Sequence, residues 1–509
     1  MCRFVSVSAV LMLMSSAVHA DVKLPAIISD HAVLQRDRAV PIWGWADAGE
    51  EVTVALAGQT QTVKAGADGG WMVKFDKLPA DKTLTLEVKG KNTLTVKDLL
   101  VGEVWLGSGQ SNMAMTVNRS KDFAQEQPAA KFPEIRMFKE SSPAASEPQK
   151  GGSGSWQVCS PQTVALFSAT LYFFGRDLHQ TLKVPVGLIN SSVGGTPITA
   201  WNSWDVQKDK KELHPLFAEW NKKAETFDLK AALAKYEKDY AAWKEAAAKA
   251  KADGKTATRP PLKPVLPKLD AHHPATLFNG KINPLIPYAI RGAVWYQGEN
   301  NAGKVGSEHY GLQLRMLVED WRARWGDEMP FAWVQLPNYH KPQTQPVEES
   351  GWVQVREQMT KTLALPKTGM AITLDVGEES DIHPKNKQDV GKRLAMWALA
   401  DVYAVKGVTA SGPLYDKHVI KDGQVIVSFK HAQGNLVVKG DELKGFAICG
   451  ADKKWLWAKA KIQGDTVILS HPDVKEPTAV RYAWADNPVA TLFNDKGVPA
   501  APFRTDGDK

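Results

Sequence analysis

Ser111 is the residue of this chain best placed to act as a nucleophile. It lies in Gly-Glu-Val-Trp-Leu-Gly-Ser-Gly-Gln-Ser-Asn-Met (residues 102–113), where an apolar strand passes through glycines into a predicted helix. A serine at such a turn presents its hydroxyl outside the sheet and aims its own N–H at the group attacked. Met113 stands where the common Gly-x-Ser-x-Gly nucleophile turn has its second glycine, which indicates a different serine-hydrolase architecture. The structural alternative is a serine that caps a helix.

His383 is the candidate base for this serine. It lies in Glu-Glu-Ser-Asp-Ile-His-Pro-Lys-Asn-Lys (residues 378–387), a predicted loop that leads into a basic amphipathic helix. Histidine titrates near neutrality and is suited to take a hydroxyl proton, and Asp381 is placed to hold its far nitrogen, as in a serine triad. The alternative is an ordinary loop histidine. No His-Glu-x-x-His or similar zinc spacing occurs, which disfavours metal catalysis.

Two further segments supply groups that stabilise an oxyanion. Asn-Ser-Ser-Val-Gly-Gly-Thr-Pro (190–197) follows an apolar strand and offers backbone N–H groups with little side-chain cover. Trp-Tyr-Gln-Gly-Glu-Asn-Asn (295–301) ends another strand with the neutral donors Gln297 and Asn300. Glu299 is interpreted as a group that orients its neighbours or contacts substrate. The structural alternatives are a tight turn and a buried polar network.

Strands that alternate with helices must position these segments. Short apolar runs at 100–106, 184–190, 289–296, 330–336 and 369–374 are separated by stretches with helical spacing, including 164–182 and 308–325. Such alternation predicts a parallel sheet with helices on both faces. Sites in such sheets form at the carboxyl ends of the strands, where the serine and the two glycine segments fall.

Regions of different character flank and interrupt this core. Residues 21–97 alternate in short runs separated by turns, which predicts an antiparallel β-sandwich whose Trp43, Trp45 and Trp71 are either core or a sugar-stacking platform. An Ala/Lys/Glu-rich stretch at 205–255 predicts a helical insertion in the catalytic region 98–404. Residues 405–509 return to strands, either as a separate β-region or as part of one sandwich with the first.

Composition restricts the classes of function. Residues 1–20 have the basic start, apolar run and small residues of a secretory signal peptide, so we expect a soluble, exported protein that is periplasmic or secreted. The chain has 63 basic and 56 acidic residues that are spread along it, which disfavours nucleic-acid binding, and a membrane role for the insertion is disfavoured by its mixed charges. Cys159 and Cys449 remain in the mature chain, and their spacing leaves pairing open.

The motifs together resemble the sialate O-acetylesterase family of SGNH-type carbohydrate esterases. The resemblance rests on Gly-Gln-Ser-Asn-Met, on the two glycine segments, on Phe-Asn-Gly-Lys-Ile-Asn-Pro-Leu-Ile-Pro-Tyr (278–288) and on Asp-Ile-His-Pro-Lys-Asn-Lys (381–387). It implies a flavodoxin-like three-layer α/β/α domain with a parallel sheet, β-rich accessory regions, and hydrolysis of sugar acetyl esters through an acyl-enzyme without a cofactor.

The resemblance also implies roles for single residues. Ser111 matches the nucleophile, His383 the base and Asp381 the triad acid. The N–H groups of Ser111 and Gly195 match the oxyanion hole, completed by an amide of Gln297 or Asn300. Only one residue separates Asp381 from His383, whereas general SGNH enzymes have Asp-x-x-His, so the orienting carboxylate is alternatively one of Asp375, Glu378 and Glu379.

The substrate stays open at this point. An O-acetylated sialic acid and an acetylated polysaccharide such as xylan look alike at the serine, and Arg356 is either a partner for a sialic acid carboxylate or part of a structural salt bridge. A non-catalytic glycan-binding protein is the alternative from another class. A peptidase is disfavoured because no side-chain pocket is marked. The oligomeric state is not readable from the sequence.

Overall fold

The computed structural model describes residues 21–80, 82–303, 306–432 and 436–507. The predicted signal peptide, residues 1–20, lies outside the described residues. No helix within these ranges is both long enough and apolar enough to cross a membrane.

The amino-terminal region is built of short strands that lead into one long strand. The strands are β1 (Val33–Gln35), β2 (Val40–Trp45), β3 (Glu51–Leu56), β4 (Gln59–Lys64), β5 (Gly70–Phe75), β6 (Leu84–Lys89) and β7 (Thr93–Gly109). β2 pairs with β5, and β4, β3, β6 and β7 form an antiparallel series. Trp43 and Trp71 are only 7% and 4% exposed, so their rings belong to the core and not to a sugar platform.

The central sheet uses the second half of β7 as its middle strand. Its other strands are β8 (Phe132–Glu140), β9 (Gly154–Cys159), β10 (Val186–Ser192), β11 (Gly292–Tyr296), β12 (Phe331–Val334) and β13 (Thr368–Ala371). The order is β13-β12-β11-β7-β10-β8-β9, parallel except for β9. The predicted mixed α/β fold with a mainly parallel sheet is confirmed. Because β7 also belongs to the amino-terminal series, it runs across the predicted boundary at residues 97/98.

The helices of the chain pack against both sides of this sheet or lie in the insertion between β10 and β11. They are α1 (Ser111–Ala114), α2 (Phe123–Ala129), α3 (Ala169–Leu182), α4 (Trp204–Gln207), α5 (His214–Thr226), α6 (Leu229–Ala252), α7 (Glu299–Ala302), α8 (Tyr310–Trp325), α9 (Gly351–Thr362) and α10 (Lys387–Trp397). Trp105 of β7 contacts Phe174 of α3 and Trp397 of α10. Trp295 of β11 contacts Trp321 of α8. Alternating side chains of adjacent strands therefore bury against different helices, as the pleat requires.

The carboxyl-terminal region consists of antiparallel sheets. Its strands are β14 (Leu414–Lys421), β15 (Gln424–Lys430), β16 (Leu436–Val438), β17 (Phe446–Cys449), β18 (Leu456–Trp457), β19 (Lys459–Gln463), β20 (Thr466–Ser470), β21 (Ala479–Tyr482), β22 (Leu492–Asn494) and β23 (Phe503–Arg504). They form the sheets β14-β15-β20-β19 and β18-β17-β21-β23 and the pair β16-β22. Within the described ranges none of them pairs with a strand of the amino-terminal region. Cys159 and Cys449 are both buried and both free thiols.

Candidate active site

Ser111 lies just beyond the ends of two neighbouring central strands, β7 and β11, whose backbones are very close together. Gly109, the last residue of β7, has φ +134°, and a Cβ built there would lie 2.1 Å from the carbonyl oxygen of Tyr296 at the end of β11. Only glycine fits this approach. The N–H of Gln110 then donates to the same Tyr296 carbonyl at 2.9 Å. Ser111 therefore begins α1 at the carboxyl edge of the sheet, as its position in the sequence predicted.

His383 is the titratable partner of this serine. Its Nε2 lies 2.8 Å from Ser111 Oγ, and with the proton on Nδ1 the hydroxyl donates to Nε2. Burial lowers the pKa of His383 below the ordinary value of 6.5; Asp381 opposes the shift, and the positive charges of Lys387 and Arg119 add to it. A lowered pKa keeps the imidazole neutral near neutral pH, the form that accepts a proton.

Among the four candidate carboxylates, Asp381 is the one that contacts this histidine. Its Oδ1 accepts the backbone N–H of His383 at 2.8 Å and lies 3.5 Å from Nδ1 of the ring. Asp375 instead forms a bidentate ion pair with Arg393, with N–O distances of 2.6 and 2.9 Å.

The two glutamates in this loop face elsewhere. Glu378 accepts the N–H of Lys385 at 2.8 Å, and Glu379 is exposed. The geometry therefore favours Asp381 as the group that orients the ring. Its side chain is 47% exposed, so the attraction is weakened by solvent.

Two backbone N–H groups at the serine turn, those of Ser111 and Gly195, are candidate donors to an oxyanion. Gly194 lies so near that a Cβ on it would be 3.4 Å from Ser111 Cβ, whereas a Cβ on Gly195 would meet nothing within 4 Å. Within the described part of the chain, neither the N–H of Ser111 nor that of Gly195 donates a hydrogen bond to the protein. Unengaged donors at a turn can stabilise a developing oxyanion.

Asn300 also reaches this turn. Its Nδ2 donates to the Gly195 carbonyl at 2.5 Å, which uses one of its two protons. Its Oδ1 is buried without a partner among the described residues. The side chain therefore supports the glycine turn and retains one amide proton for a ligand.

Gln297 has a different environment. It is fully buried, and its Nε2 lies within hydrogen-bond distance of three acceptors: Gln110 Oε1 at 3.1 Å, Thr196 O at 3.2 Å and Asn301 Oδ1 at 2.8 Å. An amide nitrogen has only two protons, so these acceptors already saturate it. Gln297 thus holds the loops together, and Asn300 is the better placed of the two predicted amides to contact a ligand.

Glu299 is buried under the serine instead of facing a ligand. It is 6% exposed, its Oε1 accepts from Asn112 Nδ2 at 2.5 Å, and its Oε2 has no partner within the described ranges. Burial raises the pKa of Glu299 above its ordinary value. The predicted contact with substrate gains no support from this position, whereas the predicted role in orienting neighbours does.

Lys387 and Asn112 are the polar residues at this site that the sequence analysis did not single out. Lys387 is completely buried, its Nζ donates to Asn112 Oδ1 at 2.6 Å, and burial lowers its pKa to about 7. From the sequence, a lysine at the start of a basic helix is expected to be exposed to solvent. Only its spacing from His383 and the position of Asn112 next to Ser111 could have indicated these contacts.

Arg356 lies away from any exposed surface. It is 1% exposed, and its guanidinium donates to the carbonyls of Leu336, Pro337, Ala485 and Asp486 at 2.5 to 2.9 Å. These contacts join α9 to the carboxyl-terminal region. Arg356 therefore binds backbone carbonyls and, among the described residues, does not form the predicted salt bridge. Because its guanidinium is buried, its position gives no support to a contact with a substrate carboxylate.

No group of three or more His, Cys, Asp and Glu side chains in the described ranges could hold a metal ion.

The chain is similar to known carbohydrate esterases over most of its length. A family model described as carbohydrate esterase, sialic acid-specific acetylesterase, matches residues 101–238 and 279–400. A sialate O-acetylesterase of Rattus norvegicus is 29% identical over 544 residues, with 94% of both chains covered. The Homo sapiens sialate O-acetylesterase is also 29% identical, over 94% of this chain and 92% of its own.

A solved structure is similar over nearly the whole chain. The crystal structure of a carbohydrate acetylesterase from Xanthomonas citri is 34% identical, covers 96% of this chain and 100% of its own, and superposes with a TM-score of 0.80. The similarity therefore extends beyond the central sheet to the regions on both sides of it.

Proposed function

This chain belongs to the carbohydrate esterase family of sialic acid-specific acetylesterases, and from that premise we propose that it removes O-acetyl groups from a sugar with Ser111 as the nucleophile. The single observation that carries the proposal is the 2.8 Å contact between Ser111 Oγ and His383 Nε2 at the carboxyl edge of the parallel sheet. A helix-capping serine has no need of such a base.

The reaction proceeds in two halves through an acetyl-enzyme. Ser111 Oγ attacks the acetyl carbonyl carbon while His383 Nε2 accepts the hydroxyl proton. The tetrahedral intermediate collapses to acetyl-Ser111, and the imidazolium returns the proton to the departing sugar oxygen. Water then attacks the acetyl-enzyme while His383 accepts its proton. The second tetrahedral intermediate collapses, the imidazolium returns the proton to Ser111 Oγ, and acetate leaves. Asp381 orients the ring and stabilises its protonated form. No cofactor takes part in these steps.

The carbonyl oxygen gains negative charge in both halves. The proposed donors to this oxygen are the N–H groups of Ser111 and Gly195 and the second amide proton of Asn300. Asn300 is supported by its contact with the Gly195 carbonyl. Preorganised donors of this kind lower the barrier because they need not reorient as the charge develops.

The finer architecture and the location belong to the same proposal. The packing of α3 and α10 against one set of sheet residues and of α8 against the other supports a flavodoxin-like three-layer core of SGNH type over residues 98–404. The regions 21–97 and 405–509 are accessory β-regions. The apolar run at residues 4–14 supports export to the periplasm or the medium.

An O-acetylated sialic acid is the substrate that the relatives favour. The rat and human relatives are named for sialate O-acetyl esters, whereas the Xanthomonas citri relative is named more broadly as a carbohydrate acetylesterase. An acetylated xylan or another acetylated polysaccharide is therefore the second candidate.

Acetate release from the two substrates tests the proposal directly. The purified mature chain is incubated side by side with O-acetylated sialic acid and with acetylated xylan. Ser111→Ala should lower release by at least about 10³-fold without a change in the circular dichroism spectrum. Ser120→Ala, a buried serine of the same segment whose hydroxyl donates to the Val117 carbonyl, is the matched control.

The outcomes separate the alternatives. Release that depends on Ser111 from only one substrate identifies the substrate class. Full activity of Ser111→Ala would remove this serine from the mechanism. Absence of release from both substrates and from a small acetyl ester would favour the non-catalytic glycan-binding protein.

A further inference from the structure

A cavity of about 480 Å³ lies at the base of the helical insertion. It is enclosed by α5, by the segment 203–205, by residues 268–279 and by the end of α8. This volume falls in the range of small-molecule sites. None of the residues assigned above to the proposed reaction lines it.

The cavity has aromatic walls that remain partly open. Trp204 is 45% exposed and packs against Phe217 with ring centroids 5.1 Å apart. Trp220, one turn further along α5, meets the ring of His273 at 5.1 Å. Tryptophan combines a broad apolar face with a polar N–H, which suits the apolar faces and hydroxyl edges of sugar rings. An exposed tryptophan beside a cavity therefore favours a saccharide over a purely apolar ligand.

The charges that line the cavity cancel. Asp205 and Arg324 form an ion pair at 3.1 Å, and the two other charged residues are Glu147 and Lys268. Two acids and two bases leave no net attraction for an anion or a cation. Ser203 is 2% exposed and lines the same cavity, and its Oγ has no hydrogen-bond partner among the described residues. A buried hydroxyl without a partner is costly unless a ligand or water satisfies it.

α8 separates the Arg324 side of the cavity from the proposed oxyanion site. Tyr310 at the start of α8 donates its hydroxyl to Gln297 behind the proposed oxyanion site, at 2.9 Å from Oε1. Arg324 lines the cavity at the other end of α8. A helix rises about 1.5 Å per residue, so these two residues lie about 20 Å apart along the helix. A ligand in the cavity can therefore be recognised without touching the reacting acetyl group.

We propose that this cavity is a second saccharide site, which binds a neutral sugar unit of the glycan chain that carries the acetyl groups. The proposal deepens the proposed function and rests on it for the link to an acetylated glycan. Binding there anchors a long substrate and leaves hydrolysis of a small ester unchanged. It gives the predicted helical insertion a role in selecting substrate.

Calorimetric titration with xylohexaose and with a neutral N-acetyllactosamine hexasaccharide tests the site. Both probes lack acetyl esters, so they are not hydrolysed. Trp204→Ala should weaken binding of at least one probe by tenfold or more. Trp457→Ala, which removes a tryptophan that is 39% exposed on β18, should bind like the unmodified chain. Asn221→Trp places bulk at an exposed position of the cavity wall and should block binding while the fold is preserved.

The activity on p-nitrophenyl acetate separates this proposal from the previous one. Trp204→Ala and Asn221→Trp should keep this activity within about twofold of the unmodified chain. The same two variants should lose binding of the oligosaccharide probe and hydrolysis of the long acetylated substrate. The proposal is overturned if neither probe binds, or if both variants bind as well as the unmodified chain. If the unmodified chain does not hydrolyse p-nitrophenyl acetate, the result contradicts the proposed function instead.

A second inference comes from independent observations beneath the serine. Asn112, the neighbour of Ser111, donates from Nδ2 to the carbonyl of Ile382 at 3.0 Å. Lys387 donates from Nζ to the carbonyl of Pro384 at 2.7 Å. These two carbonyls belong to the residues on either side of His383, and the bond between Lys387 and Asn112 joins the two contacts.

We infer that Asn112 and Lys387 are positioning residues that hold the His383 loop at a fixed distance from Ser111. The inference rests on the proposed roles of Ser111 and His383. Because Asn112 is covalently next to the nucleophile, any displacement of the loop stretches its contact with Ile382. Burial of Lys387 is costly for an ammonium group, which indicates that something other than stability keeps a lysine at this position.

Lys387→Met tests these contacts because methionine keeps an unbranched side chain of nearly the same length and removes the ammonium donors. We expect kcat to fall by tenfold or more, KM to change by less than about threefold, and the thermal midpoint to change little, since the loss of a buried ammonium offsets the loss of its two hydrogen bonds. Lys392→Met, an exposed lysine on α10, is the matched control. Asn112→Ala should give the same separation of kcat from KM.

Modification of Ser111 by a fluorophosphonate gives a second readout that a merely structural role would not move. Its rate should fall with kcat in both variants. Unchanged kcat and unchanged modification in Lys387→Met would overturn the inference. If Ser111→Ala retains activity, the proposed function fails instead, and the two failures are thereby distinguished.

Discussion

Glu103 and Glu299 are two carboxylates buried at opposite edges of the central sheet, and their surroundings differ. Glu103 of β7 accepts from Arg36, from Arg291 at 2.7 Å and from Tyr403 at 2.9 Å. Glu299 follows β11 and accepts from one amide only among the described residues. Burial alone would raise the pKa of both carboxyls. At Glu103 the two arginines outweigh this effect, so its pKa lies below the ordinary value, whereas the pKa of Glu299 is raised.

We call the edge with Glu103 the stabilising edge and the edge with Glu299, which carries the proposed active site, the reactive edge. At the amino edge, cations compensate the buried charge, and the cluster joins the amino-terminal segment to β7 and the start of β11. At the carboxyl edge, polar groups are buried with incomplete pairing: a carboxylate oxygen of Glu299 and an amide oxygen of Asn300 have no partner within the described ranges. Incomplete pairing costs stability, and a buried carboxyl with a shifted pKa beside Ser111 and His383 fits a functional site.

Glu103→Gln should break the stabilising edge. The substitution leaves Arg36 and Arg291 with only the exposed Asp37 as a counter-charge. We expect the free energy of unfolding to fall by about 3 kcal/mol, the lower end for a broken buried pair, because both arginines are partly exposed and keep this weaker partner. Urea denaturation measures the change. A loss below about 0.5 kcal/mol would show that the cluster does not stabilise the fold.

Asn300→Ala should damage the reactive edge. We expect kcat to fall by about 10²–10³-fold with little change in stability, because the side chain is partly exposed and one amide proton is available to the oxyanion. Steady-state kinetics on acetylated sialic acid and on p-nitrophenyl acetate measure it. Gln297→Ala is the comparison, and should lower the thermal midpoint as well, since its amide joins three segments. A decrease of less than tenfold in Asn300→Ala would assign the oxyanion hole to backbone groups alone.

Glu299→Gln should have a much smaller effect on stability than Glu103→Gln. Burial raises the pKa of Glu299, so its charged form is stabilised less by its surroundings than that of Glu103, and a glutamine oxygen can accept the same bond from Asn112. We expect the free energy of unfolding to change by less than about 1 kcal/mol. The same urea titration checks this. Equal losses in the two variants would refute the contrast between the two edges.

The pH profile sharpens the contrast at the reactive edge without a large change in rate. His383 must be neutral to act, and burial lowers its pKa, so kcat/KM should stay high as the pH falls through 6.5 and decline only below that value. Initial rates between pH 4.5 and 8 are compared with the stability of the enzyme at each pH. A midpoint above 6.5 would contradict the neutral, desolvated histidine.

The positions of most central strands could be predicted from the sequence because each of these strands is a continuous run of apolar residues. The apolar runs at 184–190, 289–296 and 330–336 correspond to β10, β11 and β12, and the helical spacing at 308–325 corresponds to α8. β8 was not predicted, because Phe-Pro-Glu-Ile-Arg-Met-Phe-Lys-Glu alternates apolar and charged residues near the border of the sheet. A continuous apolar run marks only strands that are covered on both faces.

The sequence by itself determined the esterase family and the segments of the proposed site, because the serine turn, the glycine-rich turn and the histidine loop are local features that can be recognised from neighbouring residues. Only the tertiary structure decided which of four carboxylates meets His383, that Asn300 and not Gln297 retains a free amide proton, and that Arg356 binds carbonyls. The physical reason is that exposure and hydrogen-bond partners depend on residues far apart in the chain. Lys387 shows this most clearly: its position resembles a solvated helix residue, and burial between Asn112 and Pro384 makes it part of the proposed active site.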